Sequence, residues 1–217
     1  MARDVVLLGP PGAGKGTHAR ILSERYRVPH IAAGDLLRSN IKEGTPLGKR
    51  AKSFVENGKL VPDQLVIEMI EKRLQDSDVA QGSLLDGFPR TVEQAKALDQ
   101  MLSEKHRKVR IAVEFNTSER KLIERLSGRQ TCPNCGANYH VRNIPPKREG
   151  ICDLCGTALT VRTDDRPDTI HERFTVYQNE TAPLIDFYKA RGVLRVIDGD
   201  LDIEPVQKEL AKFFVSS

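Results

Sequence analysis

One stretch near the start, Gly9-Pro10-Pro11-Gly12-Ala13-Gly14-Lys15-Gly16-Thr17, constrains this chain more than any other. The apolar run Val5-Val6-Leu7-Leu8 leads into it, and a helical pattern over residues 15–26 leads out. A short, continuous apolar block stopped by Gly-Pro-Pro-Gly reads as a strand buried on both faces, which implies a parallel sheet. Small residues let the backbone curl, so that the N–H groups over Gly12, Ala13, Gly14, Lys15, Gly16 and Thr17 turn toward phosphate oxygens. The helix N-terminus adds partial positive charge, and Lys15 reaches the outer phosphates. Compared with the general P-loop pattern, Gly16 follows the lysine directly and the hydroxyl comes one place later, on Thr17. The bland alternative is a glycine-rich turn that binds nothing; strand, lysine and helix in one place argue against it. A P-loop defines a phosphate-handling class and leaves the substrate open.

The rest of the chain repeats the strand–helix alternation. Short apolar blocks at residues 30–31, 83–85, 111–115 and 193–197 alternate with amphipathic stretches at 63–75, 92–103, 119–126, 168–189 and 203–214. That rhythm predicts an α/β fold, a P-loop core with a parallel β-sheet wrapped by helices on both faces. Two stretches break it. Residues 34–61 read as helical with no strand between, an inserted flap. Residues 128–165 are rich in Cys, Pro, Gly and Asn, with β-like pieces at 138–141 and 158–161. At 217 residues the chain supports one full core with small insertions rather than a second large domain.

The four cysteines form two CxxC pairs, Cys132/Cys135 and Cys152/Cys155, with 16 residues between. This matches a tetrahedral four-thiolate zinc site, and Gly136 and Gly156 follow the pairs where tight knuckle turns need them. Two disulfides or inert thiols are the alternatives. A secreted disulfide scaffold would spread its cysteines through the fold, so their clustering predicts a cytoplasmic location. Four protein ligands leave no open position, which makes the zinc structural. His140 lies nearby but is not needed as a ligand. No stretch approaches the ~18 apolar residues that cross a bilayer, and Met1 to Leu8 is too soon broken to be a signal peptide. The net charge of +4 is spread along the chain, with no basic run that marks a nucleic-acid arm or membrane anchor.

Three further stretches carry a resemblance: Gly34-Asp35-Leu36-Leu37-Arg38, Leu85-Asp86-Gly87-Phe88-Pro89-Arg90-Thr91, and the arginines flanking the cysteine segment. With the P-loop, and over nearly the whole chain, they resemble the nucleoside monophosphate kinases, most of all the long-lid adenylate kinases. The resemblance implies reversible, Mg2+-dependent phosphoryl transfer from ATP to AMP by a monomer. It also implies a core (residues 1–31, 62–127 and 166–217), a helical monophosphate-binding insertion (32–61) and a zinc-ribbon-like lid (128–165). Arg38 and Arg90 would clamp the acceptor phosphate. Arg129, Arg162 and Arg173 would close on the transferring group, and Arg125 would stack on the donor base. Gly34, Gly87 and Gln94 would belong to the AMP site, with Gln94 reading the base and Lys59 and Val61 lining the same pocket.

The chemistry makes those arginines meaningful. Roughly six negative charges gather when two nucleotides meet, so catalysis is mostly positioning and electrostatic clamping. Planar guanidinium forks grip two phosphate oxygens at once. Any single arginine also has the ordinary reading of a solvated surface charge. If the helix from residue 119 ran on through 129, Arg125 and Arg129 would share one face. Asp86, at a strand's C-terminal end beside the P-loop, is placed to hold the waters of a Mg2+. Asp164 and Asp165 stand at the lid hinge. Asp35 reads equally as a helix cap or as part of the acceptor site.

One position departs from the pattern. Adenylate kinases commonly carry Thr where this chain has Ala33, and Ala is associated with the uridylate and cytidylate kinases of the family. The expectation is AMP as best acceptor with tolerance of other monophosphates. A uridylate/cytidylate kinase or a GTP-using kinase is the alternative within the enzyme class. A zinc-ribbon nucleic-acid adaptor is the alternative outside it, and it would need exposed aromatics among basic residues. The cysteine segment offers only Tyr139, and the chain has no Trp.

Overall fold

The computed structural model describes residues 3–215; the outermost residues assigned above to the core, 1–2 and 216–217, lie outside the described residues. In chain order the elements begin β1 (Arg3–Leu8), α1 (Lys15–Tyr26), β2 (His30–Ala32), α2 (Ala33–Glu43), α3 (Pro46–Glu56), α4 (Asp63–Arg73), β3 (Gly82–Asp86) and α5 (Val92–Ser103). They continue β4 (Val109–Asn116), α6 (Glu119–Ser127), β5 (Arg129–Thr131), β6 (Asn138–His140), α7 (Pro167–Val176), α8 (Pro183–Ala190), β7 (Leu194–Asp198) and α9 (Ile203–Val215).

Five strands form one parallel sheet in the order β2-β3-β1-β4-β7. The apolar run of β1 explains its central place. Successive side chains of a strand point to opposite faces. Accordingly Val6 and Leu8 join the core with α4, α5 and α8, while Val5 and Leu7 join the core with α1, α6 and α9. At its start Asp4 is fully buried but paired, accepting from Ser83 Oγ at 2.9 Å and from Arg107 Nε at 2.8 Å. Register then sets the site: Leu7 lies opposite Asp86, which brings the end of β3 beside the loop that follows β1. In such sheets the carboxyl ends of strands at a switch in strand order form the ligand crevice.

The two irregular stretches differ in kind. Residues 33–56 form the paired helices α2 and α3. Thr45 caps α3 by accepting from Gly48 N at 3.0 Å, and Pro46 occupies its first turn, where a missing N–H costs nothing. Residues 128–165 hold the antiparallel pair β5–β6 and a short 3-10 turn, Thr163–Asp165. The β-like piece expected at 158–161 makes isolated bridges, Thr160 to Thr131 and Ala158 to Ile151, and no named strand.

Two helix expectations need correction. The stretch 168–189 is not one helix but α7 and α8 joined by a π-helical turn, Tyr177–Thr181. Pro183 cannot donate a helical hydrogen bond, and Ala182 N bonds back to Tyr177 O at 2.8 Å to absorb the change. Helix α6 stops at Ser127, so Arg125 and Arg129 do not share a helical face. Gly128 follows it, and His140 leaves room there for glycine alone: a Cβ at 128 would lie 2.4 Å from His140 Nε2.

Candidate active site

The P-loop is built as its composition implies. Gly14, at φ 91°, precedes α1 with no side-chain cap, so the first-turn N–H groups of α1 receive no cap bond from it. Such a helix start attracts an anion. Gly12 is required twice over. Its φ is 86°, and a Cβ there would sit 2.9 Å from Leu122 O. Gly16 explains the departure from the general motif: a Cβ would lie 3.1 Å from Asp86 Oδ2, so a side chain after the lysine would crowd that carboxylate.

Lys15 folds back on its own loop, Nζ donating to Gly9 O at 2.6 Å and Pro10 O at 2.9 Å. It keeps some exposure into the cavity. Burial lowers its pKa to about 8, and Arg90, Arg173 and Arg129 push the same way against Asp86. Burial opposes ionisation of Asp86, yet His30, Lys15 and Arg90 together hold the carboxyl below its usual range. His30 Nε2 lies 3.4 Å from Asp86 Oδ2, without the geometry of a hydrogen bond.

Around these groups lies a cavity of about 860 Å3. Every nucleotide-site residue expected from the sequence lines it except Ala13, which packs beneath the loop among Leu22, Phe115 and Leu122. Arg90 donates from Nε to Gly87 O at 3.0 Å, and burial, reinforced by Arg173, lowers its pKa to about 10. Arg162 is held by Thr131 Oγ1 at 2.9 Å and Asn138 Oδ1 at 2.6 Å, and burial with Arg38 brings it to about 9. Arg129 Nε donates to Asp165 Oδ2 at 2.7 Å, and Arg173 donates to Asp165 Oδ1 at 2.8 Å. Cations so crowded in a poorly solvated space are matched by anions.

Some expected residues sit differently from their expected roles. Asp35 is not a cap. Ala32 precedes α2, and Asp35 accepts from Arg38 at 2.5 Å across one turn, with Arg162 at 3.9 Å. Arg125 donates to Gly199 O at 2.8 Å, tying α6 to the loop after β7. Gln94, only 1% exposed, is engaged at both ends: Oε1 accepts from Arg90 N and Nε2 donates to Asp63 Oδ1, both at 2.8 Å. Ala33 is buried at the first turn of α2 and lines the cavity. Sequence reasoning passed over Asp63, His30, Thr131 and Asn138. Asp63, just after Pro62, carried the signal of a helix start and nothing more.

The cysteine segment lies folded over this cavity. Arg20 on α1 donates to Gly136 O at 3.0 Å, and Lys42 on α2 donates to Pro133 O at 3.2 Å. The four sulfurs lie within 4.8 Å of one another, with Cys132–Cys155 at 3.4 Å and Cys135–Cys152 at 3.5 Å. Disulfide sulfurs stand about 2.05 Å apart, so these are free thiols. Tetrahedral zinc at ~2.3 Å from each sulfur would space them about 3.8 Å apart. The cluster is therefore compatible with zinc.

A family model described as adenylate kinase matches residues 7–193. The chain belongs to the adenylate kinase family. It is 50% identical over 212 residues to an adenylate kinase of Clostridium perfringens, covering 98% of each chain. It is 49% identical over 208 residues to one from Caldicellulosiruptor bescii, covering 96% of this chain and 97% of that one. It is also 47% identical over 207 residues to one from Archaeoglobus fulgidus, with 95% of each covered. Among the described residues no helix is long and apolar enough to cross a membrane.

Proposed function

We propose that this chain is an ATP:AMP phosphotransferase, moving the terminal phosphoryl group of ATP onto AMP to give two ADP. Family membership makes this the reaction, and nothing in the comparisons favours a pyrimidine monophosphate kinase, a GTP-using kinase or a zinc-ribbon adaptor. The observation that carries the reading is the convergence of Lys15, Arg38, Arg90, Arg129, Arg162 and Arg173 with Asp86 on one covered cavity.

A phosphate oxygen of AMP attacks the γ-phosphorus of ATP, and the bond from that phosphorus to the β–γ bridging oxygen breaks. The acceptor is already an anion, so no general base is needed. In this reading the P-loop amides and Lys15 fix the donor phosphates, while Arg38 and Arg90 fix the acceptor phosphate. Arg129, Arg162 and Arg173 offset the charge that spreads over the transferring group. Nucleotide phosphates would take over from Asp165 as partner of Arg129 and Arg173. Arg125 would face the donor base once its bond to Gly199 is exchanged. Gln94, Lys59, Val61 and Ala33 would surround the acceptor base.

The ionised Asp86, beside Gly16 and Thr17, fits the water shell of a Mg2+ that arrives with ATP; bound there, the ion would neutralise donor-phosphate charge. The four cysteines would hold a structural Zn2+. The small core around them comprises Cys132, Ala137, Tyr139 and Cys152, packed by Leu159. So small a core leaves much of the segment's stability to the metal. Residues 32–61 and 128–165 would act as two flaps on the core and exclude water from the phosphates. A cytoplasmic monomer is part of the same proposal.

The test is a coupled assay with Mg-ATP and AMP, UMP, CMP or GMP offered separately. Preference for AMP supports the reading. Comparable turnover of the pyrimidine nucleotides would make Ala33 the residue that sets specificity, and no transfer to any acceptor would overturn it.

A further inference from the structure

We infer that Asp63 is a specificity-determining positioning residue, which fixes the orientation of the Gln94 carboxamide and thereby the class of base that Gln94 can read. The inference rests on the reading of Gln94 as the acceptor-base contact. The carboxylate of Asp63, at the first residue of α4, accepts two hydrogen bonds from the start of α5: Gln94 Nε2 on Oδ1 at 2.8 Å, and Thr91 Oγ1 on Oδ2 at 2.6 Å. Gln94 Oε1 meanwhile accepts from Arg90 N at 2.8 Å.

The nitrogen and oxygen of an amide are distinguished by their partners. A carboxylate only accepts and a backbone N–H only donates, so one orientation of Gln94 satisfies both. Reversing the amide would set its oxygen against the Asp63 carboxylate and its NH2 against the Arg90 N–H. At a site that is 1% exposed, neither mismatch can be relieved by water. The amide therefore retains one N–H and one oxygen lone pair, in a fixed order.

That order has chemical meaning. The Watson–Crick edge of adenine sets a ring-nitrogen acceptor beside an exocyclic amine donor, and cytosine does the same. Guanine and uracil set a ring N–H beside a carbonyl oxygen. A locked carboxamide pairs its N–H with the ring nitrogen and its oxygen with the amine in one pose. Guanine or uracil in that pose needs the amide reversed. Asp63 thus selects amino-bearing bases without touching them, and it does so from a different element than Gln94.

The test compares Asp63→Ala, Asp63→Asn, Thr91→Val and Gln94→Leu, each with a thermal melt to establish folding. The measured quantities are KM and kcat for AMP, and the ratio of kcat/KM for AMP to that for UMP and GMP. Asp63→Ala should raise KM for AMP about tenfold, the order of one lost buried hydrogen bond, with kcat changed much less. It should narrow the selectivity ratio by a similar factor. Asp63→Asn retains an oxygen that accepts from Gln94 Nε2 and should restore most of the selectivity. Thr91→Val removes the helix cap and the second bond to Asp63 and should lower stability without moving the ratio. A ratio unmoved in folded Asp63→Ala, while Gln94→Leu collapses it, would overturn the inference alone. A ratio unmoved in Gln94→Leu as well would overturn the reading of Gln94 on which it stands. Equal loss of selectivity in Thr91→Val and Asp63→Ala would mean that the cap, and not the amide lock, sets the effect, and would also overturn it.

Discussion

Raising the pH from 7 to 9.5 should weaken ATP binding through Lys15 by an amount that follows from its surroundings. Burial lowers the pKa of this lysine in the nucleotide-free protein to about 8, while the triphosphate, once bound, favours the charged ammonium. If the bound-state pKa stays above 9.5, neutralising the free lysine costs about thirtyfold in affinity between pH 7 and 9.5, since each unit is tenfold. Other groups titrate in that range, so the clean measurement is a difference. ATP binding to the wild type and to Lys15→Met is followed by calorimetry across the range. The variant should bind more weakly at pH 7, and the gap should close by about thirtyfold at pH 9.5. A gap that stays constant would refute the depressed pKa, and no gap at pH 7 would refute the placement of Lys15 against the phosphates. Stability of the nucleotide-free protein should move the opposite way. Between about pH 8 and 10.5 the unfolded chain holds the proton that the folded lysine has shed, so the Lys15 contribution stabilises the fold as pH rises. The thermal melt of the wild type relative to Lys15→Met reads that sign.

Asp165→Asn should destabilise the nucleotide-free protein by about 3 kcal/mol, because the buried carboxylate holds both Arg129 and Arg173. A ligand that joins the two nucleotides through their phosphates should recover part of that loss in melts, and equal loss with and without it would contradict the proposed exchange of partners. If the four cysteines hold the proposed Zn2+, chelation, or Cys152→Ser, should lower the protection of amides in residues 128–165 in hydrogen exchange more than it lowers turnover at moderate temperature. Immediate loss of activity with the lid intact would contradict a structural role. Ala33→Thr should tighten AMP binding about three- to tenfold, the value of one added hydroxyl contact, as read by calorimetry. Unchanged affinity would show that the missing hydroxyl does not limit the acceptor site.

Local signals carried most of the fold and the chemical class. A four-residue apolar block before Gly-Pro-Pro-Gly reads as a strand of a parallel sheet, because a strand covered on both faces can be apolar at every position; its central place came from the strand order. Each CxxC pair sets two sulfurs together through a local knuckle turn, and the spacing of the pairs pointed to one shared four-sulfur site, which the fold assembles. The spacing Gly-Lys-Gly-Thr sets the P-loop apart from the general pattern. Its cause, Asp86 lying against Gly16, arises from the pairing of β1 with β3 and is invisible along the chain.

Tertiary structure decided what depends on partners far apart in sequence. The pairing of Asp63 with Gln94, of Asp165 with Arg129, and of Arg20 with the Gly136 carbonyl joins elements that no local pattern connects. Two helix ends differ from the periodic reading for different reasons. The amphipathic stretch 168–189 reads as one helix, yet Pro183, a local breaker that the periodicity outweighed, and the π turn divide it. At Gly128, after the end of α6, only glycine fits, because His140 from strand β6 occupies the space beside it. The sequence determined by itself that this chain makes a P-loop α/β core with a four-cysteine insertion, because periodicity, turn chemistry and knuckle spacing act over a few residues. Only the folded chain decided which way each arginine, carboxylate and amide is held, because a hydrogen bond's orientation is set by the partner that packing brings to it.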